Sequence, residues 1–247
     1  MDELTLITPD WPAPARVRAL STTRVGGVSC GAYASLSLGD HVGDNPSAVA
    51  SNRHRVVSRC NLPAMPIWLR QVHGTAVADL RSSPPRPEAD AAWTDRPSQI
   101  CAVLTADCLP VLFCDIAGSV VAAAHAGWRG LAAGVLERAV RALPVSANQL
   151  MAWLGPAISQ PAFEVSAEVR QAFVARDADS VGCFVDSDSD GKYRADLHAL
   201  ARRQLQTLGV SAVHGGEYCT HGDPQRFFSY RRDGQCGRMA SLIWLAE

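Results

Sequence analysis

The chain lacks the features that would assign it quickly to a large class. Lys and Arg (23) balance Asp and Glu (24) to a formal net charge of -1, with no run of basic residues. The electrostatic footprint of a nucleic-acid binder is therefore missing. No apolar stretch reaches the roughly 20 residues needed to span a bilayer, because Arg, Asp, Gly or Pro interrupts every hydrophobic run. The first residues carry Asp2, Glu3 and Asp10 and offer neither a basic n-region nor an apolar segment of signal-peptide length. Neither nucleic acid nor membrane is expected as a partner, and a cytoplasmic location is expected. Thr23-Arg24-Val25-Gly26-Gly27-Val28 is a glycine turn without the Gly-Lys-Ser/Thr ending of a phosphate-binding P-loop. Asp186-Ser187-Asp188-Ser189-Asp190-Gly191 opens like a calcium loop, but Leu197 stands where the bidentate glutamate is required, so an acidic surface turn is expected. In a reducing cytosol, the eight cysteines of this 247-residue chain are expected as buried thiols or ligands, not as a disulfide framework.

What is present is ample material for a core, with 47% hydrophobic residues and neither an internal repeat nor a low-complexity tract. A single domain over residues 1–247 is expected. Asn45 and Pro46 signal the N-cap and first turn of a helix over 46–60. Strand-like runs at 67–71 and 75–80 precede a Pro-rich surface loop at 82–87. From Ile100 to Ala124 the chain is almost continuously apolar, broken at Ala106-Asp107 and Ala117-Gly118. That pattern predicts three central strands buried on both faces. A helix over 128–143, a strand at 150–154 and helices at 166–174 and 195–208 follow. The sequence ends with two runs, 226–230 and 238–245, which flank Asp233-Gly234 and predict a hairpin. Strands and helices alternate without a regular βαβ rhythm, which predicts a mixed sheet in an α/β or α+β fold.

Three segments carry chemistry: Gln71-Val72-His73-Gly74, Thr105-Ala106-Asp107-Cys108-Leu109-Pro110 and His125-Ala126-Gly127-Trp128-Arg129-Gly130. Each puts one metal-binding side chain beside a strand end or helix start, where α/β proteins place sites. His73, Cys108 and His125 together make a Cys-His-His set that suits zinc and leaves a fourth tetrahedral position free, the pattern of a catalytic site. Singly, His73 fits a surface role and Cys108 a buried inert thiol. Asp107 points away from Cys108 if the strand stays extended; if it breaks at Ala106, Asp107 turns toward the site as general base or orienting group. Arg129, in the first turn after Gly127, carries a guanidinium suited to an oxyanion, with pairing to a surface acid as its alternative. Arg231 at the expected hairpin tip reaches a substrate phosphate or ribose, or else is simply solvated.

In these motifs the chain resembles the bacterial YfiH family, also called the laccase-domain or multicopper polyphenol oxidoreductase family. The likeness runs from Ser21-Thr22-Thr23-Arg24-Val25-Gly26-Gly27 through the three ligand segments to Phe227-Phe228-Ser229-Tyr230-Arg231-Arg232-Asp233-Gly234 and Gly237-Arg238-Met239-Ala240. The resemblance implies a four-layer α/β/β/α sandwich with mixed sheets, similar to a toxin-type cysteine hydrolase, and a metal held by His73, Cys108 and His125. It implies a zinc-dependent purine nucleoside enzyme that phosphorolyses adenosine, inosine, guanosine and methylthioadenosine and deaminates adenosine. On that reading Cys108, His125, Asp107 and Arg129 are the candidate catalytic residues, and Arg24, Arg129, Tyr230 and Arg231 the candidate contacts to nucleoside and phosphate.

Older family naming implies a copper polyphenol oxidase, and some members are assigned to the editing of misincorporated serine in peptidoglycan precursors. A multicopper laccase needs a trinuclear cluster fed by many imidazoles. With seven histidines and no His-x-His pair, this sequence disfavours that chemistry. The remaining alternatives are a cysteine hydrolase with Cys108 as nucleophile and His125 as base, and a metal-carrying interaction module without catalysis. Oligomeric state is not readable, although a homodimer is common for compact cytosolic enzymes of this type.

Overall fold

The computed structural model describes residues 3–247. Its strands are β1 (Leu6–Ile7), β2 (Val17–Thr22), β3 (Ile67–Trp68), β4 (Val77–Asp79), β5 (Ala91–Thr94), β6 (Ile100–Thr105), β7 (Leu109–Asp115), β8 (Val121–Ala126), β9 (Leu150–Leu154), β10 (Glu164–Ser166), β11 (Phe184–Asp186), β12 (Lys192–Ala195), β13 (Ala212–Gly215) and β14 (Met239–Leu245). The α-helices are α1 (Pro46–Arg59), α2 (Trp128–Ala133), α3 (Val135–Ala142), α4 (Ala167–Val174), α5 (Leu197–Thr207) and the single turn α6 (Tyr230–Asp233).

The apolar stretch from Ile100 does form three buried strands, but a turn at residues 106–108 divides them between two sheets. Strand β6 joins a five-stranded sheet of order β1-β2-β14-β6-β3, whereas β7 and β8 lie in a six-stranded sheet of order β13-β9-β7-β8-β5-β4. A third, small sheet, β10-β12-β11, sits to the side. Both large sheets are mixed: β3 pairs with β6 and β13 with β9 in parallel, while the central ladders are antiparallel.

Side-chain alternation along each strand explains why the stretch is apolar throughout. Cys101 and Val103 of β6, Leu112 and Cys114 of β7, Val121 and Ala123 of β8, and Ile243 and Leu245 of β14 meet in one cluster between the two sheets. The opposite faces find helices. Ala102, Leu104, Leu242 and Trp244 pack with Val56 of α1, and Val111, Phe113, Ala122 and Ala124 pack with Leu131, Val135, Leu136 and Leu200 of α2, α3 and α5. The order helix, sheet, sheet, helix is the expected four-layer sandwich. Each fully buried Val, Leu or Phe contributes about 1.5–3 kcal/mol, so sheets apolar on both faces hold these layers together.

Local signals read as expected in several places. The Asn45 side chain accepts from the amides of Ser47 and Ala48 and caps α1, with proline at the first helical position. All eight cysteines are free thiols; Cys101, Cys114, Cys183 and Cys236 are buried as expected, whereas Cys30 is exposed. Among the described residues no helix is long and apolar enough to cross a membrane.

Two expectations fail. The helix expected over 128–143 is two helices, because Gly134 adopts φ +98° and ends α2 with a left-handed cap. The expected C-terminal hairpin does not form. Residues 230–233 make a helical turn capped by the Ser229 hydroxyl, which accepts from the Arg232 amide at 3.3 Å, and β14 instead runs between β2 and β6 in the middle of its sheet.

Candidate metal centre

Pairing register brings the three motifs to one end of the six-stranded sheet. Strand β7 runs antiparallel to β8 with Pro110 opposite His125, and β5 runs antiparallel to β8 with Ala91 opposite Ala124. The entry to β7 (Cys108), the exit of β8 (His125) and the entry to β5 (Asp90) therefore lie side by side. His73 arrives from the loop between β3 and β4. The ligand atoms of His73, Cys108 and His125 all lie within 4.8 Å of one another, in the one such cluster found among the described residues. Cys108 Sγ is 3.9 Å from His73 Nε2, and the two imidazoles meet edge to face with centroids 4.8 Å apart. A tetrahedral zinc with bonds of about 2.3 Å to sulfur and 2.0–2.1 Å to nitrogen sets its ligand atoms about 3.5 Å apart. Sub-ångström movement closes this triad on an ion.

Two further residue types make that approach possible. Gly127 lies against the ligands: a Cβ there would sit 2.8 Å from Cys108 Sγ and 3.2 Å from His73 Cδ2. A Cβ at Gly130 would meet the carbonyl oxygen of Gly74 at 2.9 Å, so the two glycines of the His-Ala-Gly-Trp-Arg-Gly motif let α2 abut the His73 turn.

Asp90, which the sequence reading passed over, organises the centre. It is fully buried. Its Oδ1 accepts from the His73 amide at 2.9 Å and from His125 Nδ1 at 2.8 Å, and its Oδ2 accepts from the Gly74 amide at 2.7 Å and the Val72 amide at 3.2 Å. The backbone also joins in, with the His125 amide donating to the Asp90 carbonyl at 2.7 Å. One carboxylate thus holds His73 in its left-handed conformation, φ +60°, and accepts a hydrogen bond from Nδ1 of His125, so that Nε2 would be the atom offered to a metal. The only signal in the sequence was a lone acid in the apolar run Ala89-Asp90-Ala91-Ala92-Trp93.

The electrostatics follow from these contacts. Burial alone would raise the Asp90 carboxyl, but the hydrogen bonds from His125 and the Gly74 and Val72 amides outweigh it and hold it below the ordinary carboxylate range. Burial would likewise raise the Cys108 thiol, yet the charge and hydrogen bonding of His125, followed by those of His73, bring it down to about 6. His125, although burial works against its charge, is raised to about 9 by Cys108 and Asp90. Without metal the pair is thiolate and imidazolium, so the ligand sulfur is already deprotonated at neutral pH.

A cavity of about 350 Å³ opens onto the triad, lined also by His41, Gln71, Leu104, Thr105, Ala106, Tyr230 and Arg238. Gln71 forms one wall by clasping β6: its amide donates to the Leu104 carbonyl at 2.9 Å and its oxygen accepts from the Leu104 amide at 2.7 Å. A larger hollow of about 860 Å³ near Trp11 and Trp244 contains none of the candidate residues.

The other residues singled out in the sequence lie in different places. Asp107 does turn, with φ +83°, but away from the triad. Its carboxylate accepts from Thr220 Oγ1 at 2.6 Å, Ser229 Oγ at 3.0 Å and the Arg231 amide at 2.7 Å, and so pins the C-terminal segment. Tyr230 reaches the cavity with 60% of its surface exposed. Three arginines do not line it. Arg24 donates to the carbonyls of Ala34 and Pro224, Arg129 lies 4.4 Å over the ring of its neighbour Trp128, and Arg231 donates to the Glu164 carbonyl at 2.9 Å.

Comparison with known proteins matches this arrangement to a family along nearly its full length. The chain is 55% identical over 242 residues to a purine nucleoside phosphorylase of Pseudomonas aeruginosa, covering 98% of both. It is 53% identical over 241 residues to the purine nucleoside phosphorylase YfiH of Escherichia coli, covering 97% of this chain and 98% of that one. Among solved structures, a Neisseria meningitidis protein superposes with a TM-score of 0.94 at 53% identity, over 98% of this chain and 99% of that one. YlmD from Geobacillus stearothermophilus superposes with a TM-score of 0.87 at 30% identity, over 96% and 94%. Residues 18–246 match the family described as multi-copper polyphenol oxidoreductase laccase, and the chain belongs to it.

Proposed function

We propose that the chain is a zinc-dependent purine nucleoside phosphorylase acting on adenosine, inosine, guanosine and methylthioadenosine, with adenosine deamination as a second activity. The observation that carries this reading is the His73-Cys108-His125 triad facing an open cavity, in a chain whose relatives are named purine nucleoside phosphorylase. The donor set of two imidazoles and one thiolate is that of a catalytic zinc with one position left for water or substrate. Zinc supplies a water of pKa about 7 and a Lewis acid for a polar substrate atom.

The chain's own residues do the rest. Asp90 fixes the His125 tautomer, Cys108 is held as thiolate, and the Tyr230 ring at the cavity mouth offers a face for the purine. In phosphorolysis the C1′–N9 bond breaks with its electron pair passing to the purine, a phosphate oxygen bonds to C1′, and the proton of hydrogen phosphate ends on the base. Copper polyphenol oxidation asks for more than one cluster of ligands, whereas the described residues offer one three-ligand group.

The test combines elemental analysis of protein purified without added metal with inosine phosphorolysis by His73→Ala, Cys108→Ala and His125→Ala. Each variant is expected to lose at least about 100-fold in turnover, in line with the loss of a principal catalytic group. Wild-type turnover in all three would overturn the assignment.

The lowered Cys108 thiol beside His125 favours one second reading, a cysteine hydrolase acting on an amide such as a peptidoglycan precursor. Chelation separates the two, since activity that rises on zinc removal belongs to a free nucleophile. A metal-carrying interaction module without catalysis would turn over neither substrate.

A further inference from the structure

None of the three arginines marked as anion receptors lines the metal cavity, and a fourth guanidinium does. Arg238 leads into β14, and its position is built into the fold. The Leu38 amide donates to its carbonyl at 3.0 Å. Gly39 lies against its stem, where a Cβ would come within 2.8 Å of Arg238 Cγ. Its Nη1 donates to the carbonyls of Cys236 and Gly237, both at 3.0 Å.

These neutral acceptors orient one edge of the guanidinium and leave the edge formed by Nε and Nη2 for another partner. Among the described residues no carboxylate forms an ion pair with Arg238; its remaining contacts are the Cys236 sulfur at 3.6 Å and the Tyr230 ring, 5.9 Å from centroid to guanidinium. A half-buried cation without a counter-ion is costly in a protein interior and attracts an anion.

The surroundings fit an oxyanion. His41 lines the same wall, with Nδ1 3.6 Å from Asp40. Burial, and then the charge of Arg238 beside it, hold His41 below its ordinary value, so at neutral pH it is an uncharged hydrogen-bonding group. A second hollow of about 280 Å³, lined by His41, Val42, Tyr230, Gln235, Cys236 and Arg238, adjoins the cavity and shares three of its residues. Arg238 thus stands where the two meet, between solvent and the triad.

We propose that Arg238, flanked by His41 and Tyr230, is the oxyanion subsite of the metal cavity and receives inorganic phosphate through Nε and Nη2, the paired geometry by which arginine grips phosphate. The assignment of phosphate as the reacting anion rests on the phosphorolysis reading above. Arg238 would hold phosphate while its oxygen bonds to C1′, and then retain the sugar phosphate formed.

The experiment is calorimetric titration of zinc-loaded full-length protein with inorganic phosphate, alongside phosphorolysis kinetics. Arg238→Gln is expected to weaken phosphate binding at least about tenfold and to raise KM for phosphate by a similar factor while KM for inosine stays within twofold. Arg238→Lys, which keeps the charge without the fork, should recover part of the binding and controls for folding, whereas Arg138→Gln, at an exposed position of α3, should bind as wild type. The proposal falls if wild type binds no phosphate or if Arg238→Gln binds it equally well. Phosphate binding that depends on Arg238 in a protein that does not split inosine would keep the subsite and overturn the phosphorolysis reading instead.

Discussion

Replacing Asp90 by asparagine exchanges one carboxylate oxygen for an NH₂ group at the centre of the site and changes almost no volume. In the native chain the carboxylate accepts four hydrogen bonds, two on each oxygen, at 2.7 to 3.2 Å. Asparagine has one oxygen. Whichever way its amide turns, the NH₂ group meets two N–H donors: the His73 amide and His125 Nδ1 on one side, or the Val72 and Gly74 amides on the other. In the first orientation His125 escapes by moving its proton to Nε2, which removes the lone pair needed for metal. In the second the turn that carries His73 loses its anchor.

Two charge-assisted bonds of about 1.5–3 kcal/mol each are lost. Relaxation of the exposed His73 turn recovers part of that, so the expected loss is about 3 kcal/mol. For a chain of this size, at about 2–4 °C per kcal/mol, the melting midpoint should fall by about 6–12 °C. Removing such an outer partner of a metal ligand also costs about 10–100-fold in metal affinity. Differential scanning calorimetry of the metal-free protein and competition for zinc with a chromophoric chelator measure the two effects separately. An Asp90→Asn variant that melts within 2 °C of wild type and binds zinc within about threefold would refute the argument that one carboxylate both folds the His73 turn and sets the His125 tautomer.

Other consequences can be checked with simpler assays. Gly127→Ala leaves a backbone that alanine accepts, φ −61° and ψ 155°, but aims a methyl at Cys108 Sγ. Metal content by elemental analysis should drop sharply, while the metal-free protein loses no more than about 1–3 kcal/mol. Because the Cys108 thiol is lowered to about 6, the thiolate persists above that pH and is lost below it. Alkylation of metal-free protein by iodoacetamide should therefore be near its plateau at pH 7.5, zinc should block it, and zinc affinity should weaken as the pH is lowered and protons compete for the ligands. An alkylation midpoint near the ordinary thiol value would contradict the proximity of His125.

The clustering of His73, Cys108 and His125 was legible in the sequence because each sat in a recognisable local setting: a turn, a strand broken by Asp-Cys, and a strand end before Gly-Trp-Arg-Gly. Its support was less so. Asp90 acts through backbone amides 16 to 18 residues away, and no local pattern encodes that reach. The misread hairpin has the same origin. Asp233-Gly234 looks like a turn between strands, but Asp107, more than 120 residues earlier, takes the Ser229 hydroxyl and the Arg231 amide and makes a helical turn the better arrangement. The arginines were harder to place for a simpler reason. Their long side chains find partners in any direction, so a motif position fixes where Arg24, Arg129 or Arg231 starts but not where its charge ends.

The order of the strands also sets a schedule. In the five-stranded sheet the middle position belongs to β14, which a ribosome makes after every other strand. Until it arrives, β2 and β6 have no common neighbour, and the apolar faces of β6 on both sides lack part of their cover. The strands of the triad-bearing sheet are all made once β13 at residues 212–215 is complete, but the face that β7 and β8 turn toward β14 stays uncovered until β14 arrives. Chains released early would thus hold all three of His73, Cys108 and His125 yet leave the inner faces of both sheets and the facing edges of β2 and β6 open to aggregation.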